Sequence, residues 1–228
     1  MTVGIFIQAR TSSTRFPGKI YAPLWGKAII EHVWEAANGA KQTHKALNII
    51  PAFIIPRNDE RLKDYLTSKG MAFSFFDCDE DDLMTRYYLA AKTYEVDAVI
   101  RITADCPTLP SRLIELMITE LLSADYCSNT MFRSYPEGWD IQGCSMEALE
   151  WANLHQDVER EHPFKLIDEN QMVRDEMVEA GLKVNQIINK HNLIFKHLSV
   201  DTEQDLIKLE LLKDEGGVWE HCTSGPRL

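Results

Sequence analysis

The apolar positions of the chain fall first into short runs and helical stripes that alternate. Val3 to Ile7 is an uninterrupted apolar run, as expected of a buried strand. Lys27 to Ala37 carries Ile29, Ile30, Val33, Trp34 and Ala37 at helical spacing, with Gly39 as the expected stop. Leu47 to Ile55 is strand-like, but Pro51 interrupts it and predicts an edge position, a bulge or a displaced start. Asn58 is the expected cap of a helix that runs through Lys69 and ends at Gly70. Ala72 to Phe76 reads as a third strand, Asp81 or Asp82 opens a helix to Tyr94, and Asp97 to Thr103 is a fourth strand, apolar until Arg101. Strand followed by helix, repeated in this way, predicts a parallel sheet with helices on both sides.

The second half loses that rhythm. Ser111 to Leu122 is helical, with Leu113, Leu116, Met117 and Leu121 on one face. Asp125 to Asn129 is a short strand, Tyr135 to Gly143 reads as loop plus strand, and Ser145 caps a helix to Leu154. Val158 to Arg174 is polar and helical in part. Lys183 to Ile188 and Leu193 to Val200 are strand candidates around a turn at Asn189 to Asn192, and Thr202 begins a last helix to about Lys213. No repeat or low-complexity segment is present. The expectation is one α/β domain over 1–214, irregular at about 126–195, followed by a loose tail at 215–228.

Composition narrows the classes. A chain of 228 residues, 45% hydrophobic, is long enough for one sizeable core. The formal charge of −11 argues against a nucleic-acid binder, which would present a basic face, but leaves room for a local basic pocket. The five cysteines form no CxxC pair and no zinc spacing, which fits reduced thiols and a cytoplasmic setting. The first strand begins at once, so no signal peptide is expected, and no apolar run approaches the roughly 20 residues of a membrane span.

That local pocket is the loop after the first strand. Arg10, Arg15 and Lys19, the hydroxyls of Thr11, Ser12, Ser13 and Thr14, and a Pro17-Gly18 turn gather at a strand's carboxyl end, where open α/β sheets bind ligands. Arg and Lys suit phosphate oxygens, so a polyanion grip is expected. The loop is neither a Walker A motif, since Gly18-Lys19 precedes Ile20 and Ser13 stands at the first glycine position, nor a GxGxxG fingerprint. Asp105, in Arg101-Ile102-Thr103-Ala104-Asp105-Cys106-Pro107, ends a strand. It is either a turn aspartate or a magnesium ligand, an ion that favours one or two carboxylates plus phosphate oxygens. Arg101 fits a buried ion pair. Asp201 is either a helix cap, with Thr202 and Asp205 forming a capping-box-like pair, or a second carboxylate for the same ion. Tyr135 to Asp140 is either a bulged hairpin or the floor of a polar-ligand pocket. His162 is a lone histidine in a polar stretch, and the acidic run Asp79 to Asp82 fits a solvated helix N-terminus.

In chain order, QARTSSTRFPGK, DDLMTRYYLAA, VIRITADCPTLP, YPEGWD, REH and VDTEQDL resemble the bacterial cytidylyltransferases. The branch they resemble most is called spore coat polysaccharide biosynthesis protein F, itself similar to 3-deoxy-manno-octulosonate and acylneuraminate cytidylyltransferases. The resemblance covers residue 3 to about 210. It implies a nucleotide-diphospho-sugar transferase fold, GT-A-like and Rossmann-like, a three-layer sandwich around a mixed, mostly parallel sheet. It implies Mg²⁺-dependent transfer of CMP from CTP to a sugar acid for surface polysaccharide or glycoconjugate biosynthesis, with pyrophosphate leaving, and a homodimer formed through the second half. Carried over residue by residue, it implies a nucleotide grip at Ala9, Arg10, Ser13, Arg15, Lys19 and Arg101. Lys19, Arg10 and Asp105 would be catalytic, Asp105 and Asp201 would bind the metal, and Tyr135, Asp140 and His162 would line the acceptor side. Ala104 replaces a glycine of the family pattern, Glu203 replaces a proline, and Arg160-Glu161-His162-Pro163-Phe164 is two residues short in the region that shapes the acceptor pocket. Two other readings share the fold. One is a glycosyltransferase using a ready-made nucleotide sugar, disfavoured by a phosphate loop with Lys19; the other is a non-catalytic binder, disfavoured by the retention of Asp105 and Asp201.

Overall fold

A computed structural model describes residues 1–155, 160–194 and 196–212. The first half is β1 (Thr2–Gln8), a 3-10 turn (Lys19–Tyr21), a ribbon of β2 (Pro23–Leu24) and β3 (Lys27–Ala28), α1 (Ile29–Thr43), β4 (Asn48–Pro56), α2 (Glu60–Ser68), β5 (Phe73–Phe76), α3 (Leu83–Thr93) and β6 (Ala98–Thr103). The second half is α4 (Ser111–Glu120), β7 (Tyr126–Ser128), β8 (Gln142–Ser145), α5 (Met146–His155), α6 (Lys165–Glu169), α7 (Gln171–Glu179), β9 (Val184–Gln186) and α8 (Glu203–Leu212). Sheet order is β5-β4-β1-β6-β8-β7-β9, and only β8 runs against the rest.

Period-two alternation of β1 divides the core. Val3, Ile5 and Ile7 face one layer with α1, α2 and α4, while Phe6 faces the other with α3, α5, α6 and α7. The sheet is therefore the middle of a three-layer α/β sandwich, as expected.

Four local expectations are corrected. Helix α1 does not stop at Gly39 but continues to Thr43. A Cβ at Gly39 would lie 2.6 Å from Ser111 Oγ, so this glycine brings α1 close to α4. Strand β4 is interior despite Pro51. Phe53 N donates to Ala72 O at 2.9 Å on the β5 side, so two residues earlier the missing proline N–H faces the same side, before β5 has begun. Asp59, not Asn58, caps α2, accepting from Leu62 N at 3.2 Å. Finally, Leu193–Val200 is no strand: among its described residues only His197 makes a bridge, to Glu137. Its backbone is taken up by loops instead. Leu198 N donates to Glu137 O (2.7 Å), Thr108 Oγ1 to Leu198 O (3.3 Å), and Val200 N to Asp105 O (2.9 Å). The capping of α5 by Ser145 Oγ, which accepts from Ala148 N at 3.2 Å, follows expectation. Residues 158–159 of the polar stretch, Lys213 at the last helix's expected end and the tail at 215–228 lie outside the described residues.

The stitched segment requires one glycine. Gly138 has φ +95°, and a Cβ there would stand 2.6 Å from Leu198 C and closer still to Ser199 N. Both neighbours are backbone and cannot swing aside. Gly138→Ala is therefore expected to lower stability by about 1–3 kcal/mol, from left-handed strain and overpacking, as measured by urea unfolding. Because the same segment leads into Asp201, activity should fall further than the unfolded fraction explains.

Candidate active site

Three pieces of chain meet at the carboxyl ends of β1 and β6. Lys19 sits on the 3-10 turn, whose geometry begins with Gly18 at φ 69° and is anchored by buried Ile20. Asp105 follows β6, and Asp201 precedes α8. Lys19 Nζ lies 2.7 Å from Asp105 Oδ2 and 2.9 Å from Asp201 Oδ1. Arg15 Nη2 reaches the same Asp201 oxygen at 2.9 Å. The lysine side chain is 11% exposed and the two carboxylates 29% and 23%, so the cluster is shielded yet reachable. Asp201 is free for this role because Asp205 serves the helix start. Asp205 Oδ2 accepts from Thr202 N (2.9 Å), Thr202 Oγ1 (2.8 Å) and Asp201 N (3.2 Å), and Asp205 N donates back to Thr202 Oγ1 (3.3 Å).

Charge pairing overrides burial at the centre. Burial raises the Asp105 carboxyl, but the Lys19 charge and hydrogen bond, with Thr103, hold it below its ordinary range. Burial likewise lowers the Lys19 ammonium, and Asp105 and Asp201 more than restore it, leaving it raised. The two carboxylates already converge on one cation, and their hard oxygens suit Mg²⁺, which asks for one or two carboxylates beside phosphate oxygens and water. The pair therefore fits that ion, while among the described residues no three His, Cys, Asp or Glu side chains converge on a metal-sized point.

The other expected residues are distributed around this centre. Arg10 turns to acids, with Nη1 3.0 Å from Asp81 Oδ1 and 3.6 Å from Glu80 Oε1, and Nη2 3.3 Å from Glu161 Oε1. The acidic run Asp79–Asp82 thus grips the loop as well as capping α3 through Asp82. Ser13 Oγ accepts locally from Phe16 N at 3.4 Å. Ala9 is buried in the core, and Thr11 is fastened to Asp59 through its N (2.9 Å) and Oγ1 (2.8 Å).

On the other face of the sheet a cavity of about 590 Å³ opens, lined in part by Arg101, Arg133, Asp140, His162, Lys165 and Asp168. His162 is exposed at its rim. Asp140 is held by Arg133 through two bonds of 2.9 and 3.1 Å. Tyr135 does not line the cavity; it packs near Trp139, with ring centroids 6.5 Å apart. Sequence reasoning missed Gln8, Arg133, Gln142 and Asp168. Of these, Gln8 had a legible signal, a polar residue closing the apolar run of β1.

Asp105, with its lowered carboxyl, stays charged in the fold at pH values where the unfolded chain has begun to take up its proton. Its contribution is complete above the ordinary 3.8 and lost as pH falls through the lower folded value. The raised Lys19 contributes below 10.5 and loses that contribution as pH rises through its folded value. Chemical denaturation across pH should therefore show Asp105→Asn losing stability less steeply than wild type below about pH 4. An identical acid limb in the two proteins would contradict the pairing.

A family model described as cytidylyltransferase matches residues 4–214. An uncharacterised protein of Methanocaldococcus jannaschii is 33% identical over 172 residues, 74% of this chain and 67% of its own. The 8-amino-3,8-dideoxy-manno-octulosonate cytidylyltransferase of Shewanella amazonensis is 28% identical over 207 residues, 88% of this chain and 74% of its own. A solved cytidylyltransferase from Leptospira borgpetersenii superposes with a TM-score of 0.76 at 25% identity, over 99% of this chain and 98% of its own.

Proposed function

This chain belongs to the cytidylyltransferase family, and we propose that it transfers CMP from CTP to a sugar acid, releasing pyrophosphate and leaving an activated sugar for surface polysaccharide or glycoconjugate assembly. The observation that carries this is Lys19 Nζ held between Asp105 and Asp201, with a cavity carrying Arg101, Arg133 and Lys165 on the other face of the sheet, in a chain of net charge −11. The sugar acid is the class named for the Shewanella relative.

The reaction is attack of an acceptor hydroxyl on the α-phosphorus, in line with departing pyrophosphate. Positioning and neutralisation of the triphosphate supply most of the acceleration. Lys19 and Arg15 sit where they can exchange carboxylate partners for phosphate oxygens. Arg10, 44% exposed and held by surface acids, joins them by giving up Glu80, Asp81 and Glu161. The buried Ile20 and the Thr11–Asp59 bonds keep the loop in place while its cations change partners. Asp105 and Asp201 would hold Mg²⁺, which when bound supplies positive charge against the triphosphate.

No helix among the described residues is long and apolar enough to cross a membrane. A cytoplasmic setting belongs to this reading, supported by Cys78, Cys106, Cys127 and Cys144 all being unpaired. So does a homodimer through the second half, supported by exposed Phe132, Met172, Val178, Ile188 and Ile194 and checked by sedimentation velocity.

Pyrophosphate release, screened with each of four nucleoside triphosphates against sugar acids, sugar phosphates and neutral sugars, is expected only with CTP and an acid. Pyrophosphate with no combination, but tight binding of a CMP- or UDP-sugar, would overturn the reading. Asp105→Asn should abolish turnover at saturating Mg²⁺ with an unchanged circular dichroism spectrum. Lys19→Met should lower kcat by about 10²–10³, as loss of one transition-state donor does.

A further inference from the structure

Arg101 stands on the central strand β6, at the cavity, in unusual company. Half-buried cationic side chains ordinarily meet a carboxylate. Among the described residues Arg101 has no acid within ion-pair distance, and the structural ion pair expected from the sequence is absent. Two neutral amides hold it instead. Nε donates to Gln8 Oε1 at 2.9 Å and Nη1 to Gln142 Oε1 at 2.7 Å, while among the described residues no acceptor is paired with Nη2.

The register explains this placement. Arg101 pairs with Phe6 on one side and Gln142 on the other, so all three side chains share a face, and Gln8 is the next residue of β1 on that face. Each amide is itself oriented. Tyr87 OH donates to Gln8 Oε1 at 3.3 Å. Gln142 Nε2 donates to Asp168 Oδ2 at 2.9 Å, and Asp168 also accepts from Tyr126 OH (2.7 Å) and from Thr130 Oγ1. The amide of Gln142 thus lies between cation and carboxylate with its oxygen toward Arg101. It fixes the guanidinium while keeping Asp168 from pairing with it. Across the cavity Asp140 is already neutralised by Arg133.

We propose that Gln8 and Gln142 are positioning residues that hold Arg101 in register without cancelling its charge, and that this uncompensated guanidinium receives the carboxylate of the acceptor. A planar fork with donors to spare suits a carboxylate. An acid at either amide position would occupy it from within the protein. The proposal rests on the transfer reading above for the identity of the anion as the acceptor's.

The test compares wild type, Gln8→Glu and Gln8→Met. Gln8→Glu places the new carboxylate away from Asp168, so it avoids the like-charge contact that Gln142→Glu would create. Calorimetric titrations use CTP alone and three acids as probes: 3-deoxy-manno-octulosonate, N-acetylneuraminate and glucuronate, each with its neutral amide, in the presence of a non-hydrolysable CTP analogue. Wild type is expected to bind at least one acid at least tenfold more tightly than its amide. Gln8→Glu should weaken that acid at least tenfold and leave its amide and CTP within about twofold. Gln8→Met, which loosens Arg101 but keeps its charge, should still prefer acid to amide. Wild type binding no acid, an unchanged acid affinity in Gln8→Glu, or an equal loss of acid, amide and CTP would each overturn the proposal. Acid binding with this pattern but no pyrophosphate release would leave the Arg101 assignment standing and overturn the transfer reading instead.

Discussion

The two ion pairs of Lys19 decide how the rest of the site is arranged. Asp105 and Asp201 are far apart in the chain, and two like charges at the mouth of a sheet would repel one another without a cation between them. Lys19 supplies it from a turn that Gly18 permits and buried Ile20 anchors. The backbone adds a second tie, since Val200 N donates to Asp105 O, one residue before Asp201. Loop, strand end and helix start are thereby locked in a mutual geometry that local sequence alone would leave open. The cluster is self-neutralising until a stronger polyanion arrives. A triphosphate offers Lys19 and Arg15 more charge than two carboxylates do, so the resting pairs preorganise the cations without sequestering them.

How much of this was legible in the sequence follows from the range of the forces involved. β1, β6 and their terminal residues were legible because continuous apolar runs and the polar residues closing them are local signals. So was the Thr202–Asp205 cap. The segment 193–200 misled for the opposite reason: its apolar residues resemble a strand, but its hydrogen-bond partners come from loops at 105–108 and 134–137. Pro51 and Gly39 misled because their roles depend on neighbours, the late start of β5 and the approach of Ser111. Arg10 could be read as a cation facing phosphate, but its resting acids, Asp81 and Glu161, arrive from distant loops.

The cavity shows the same limit in its chemistry. A glutamine reads as generic polarity in a sequence: Gln8 only opens the QARTSSTRFPGK motif, and Gln142 stands in none. In the sheet their chemistry becomes specific, because an amide oxygen and a carboxylate oxygen accept the same hydrogen bond with opposite consequences for charge. Gln142, 6% exposed and bonded on both sides, has been fixed in a position where a charged isostere would face Asp168.

The two halves of the site emerge on opposite faces of one sheet. The Lys19 cluster belongs with Ile20, Leu198 and Val200, which pack into the core around α1 and α4, while Arg101 and Gln142 extend rows that pack under α3 and α5. The strands that separate these faces, β1 and β6, end together, with Gln8 paired to Thr103. On the transfer reading, reactants seated on the two sides would meet beyond that shared edge, past Ala9 and Ala104. Both residues are buried in the core on the α1 and α4 side, so they tie the strand ends to the layer that carries Lys19. The sheet edge is thus part of the site's geometry, because the ends of β1 and β6 fix the distance between the Lys19 cluster and Arg101.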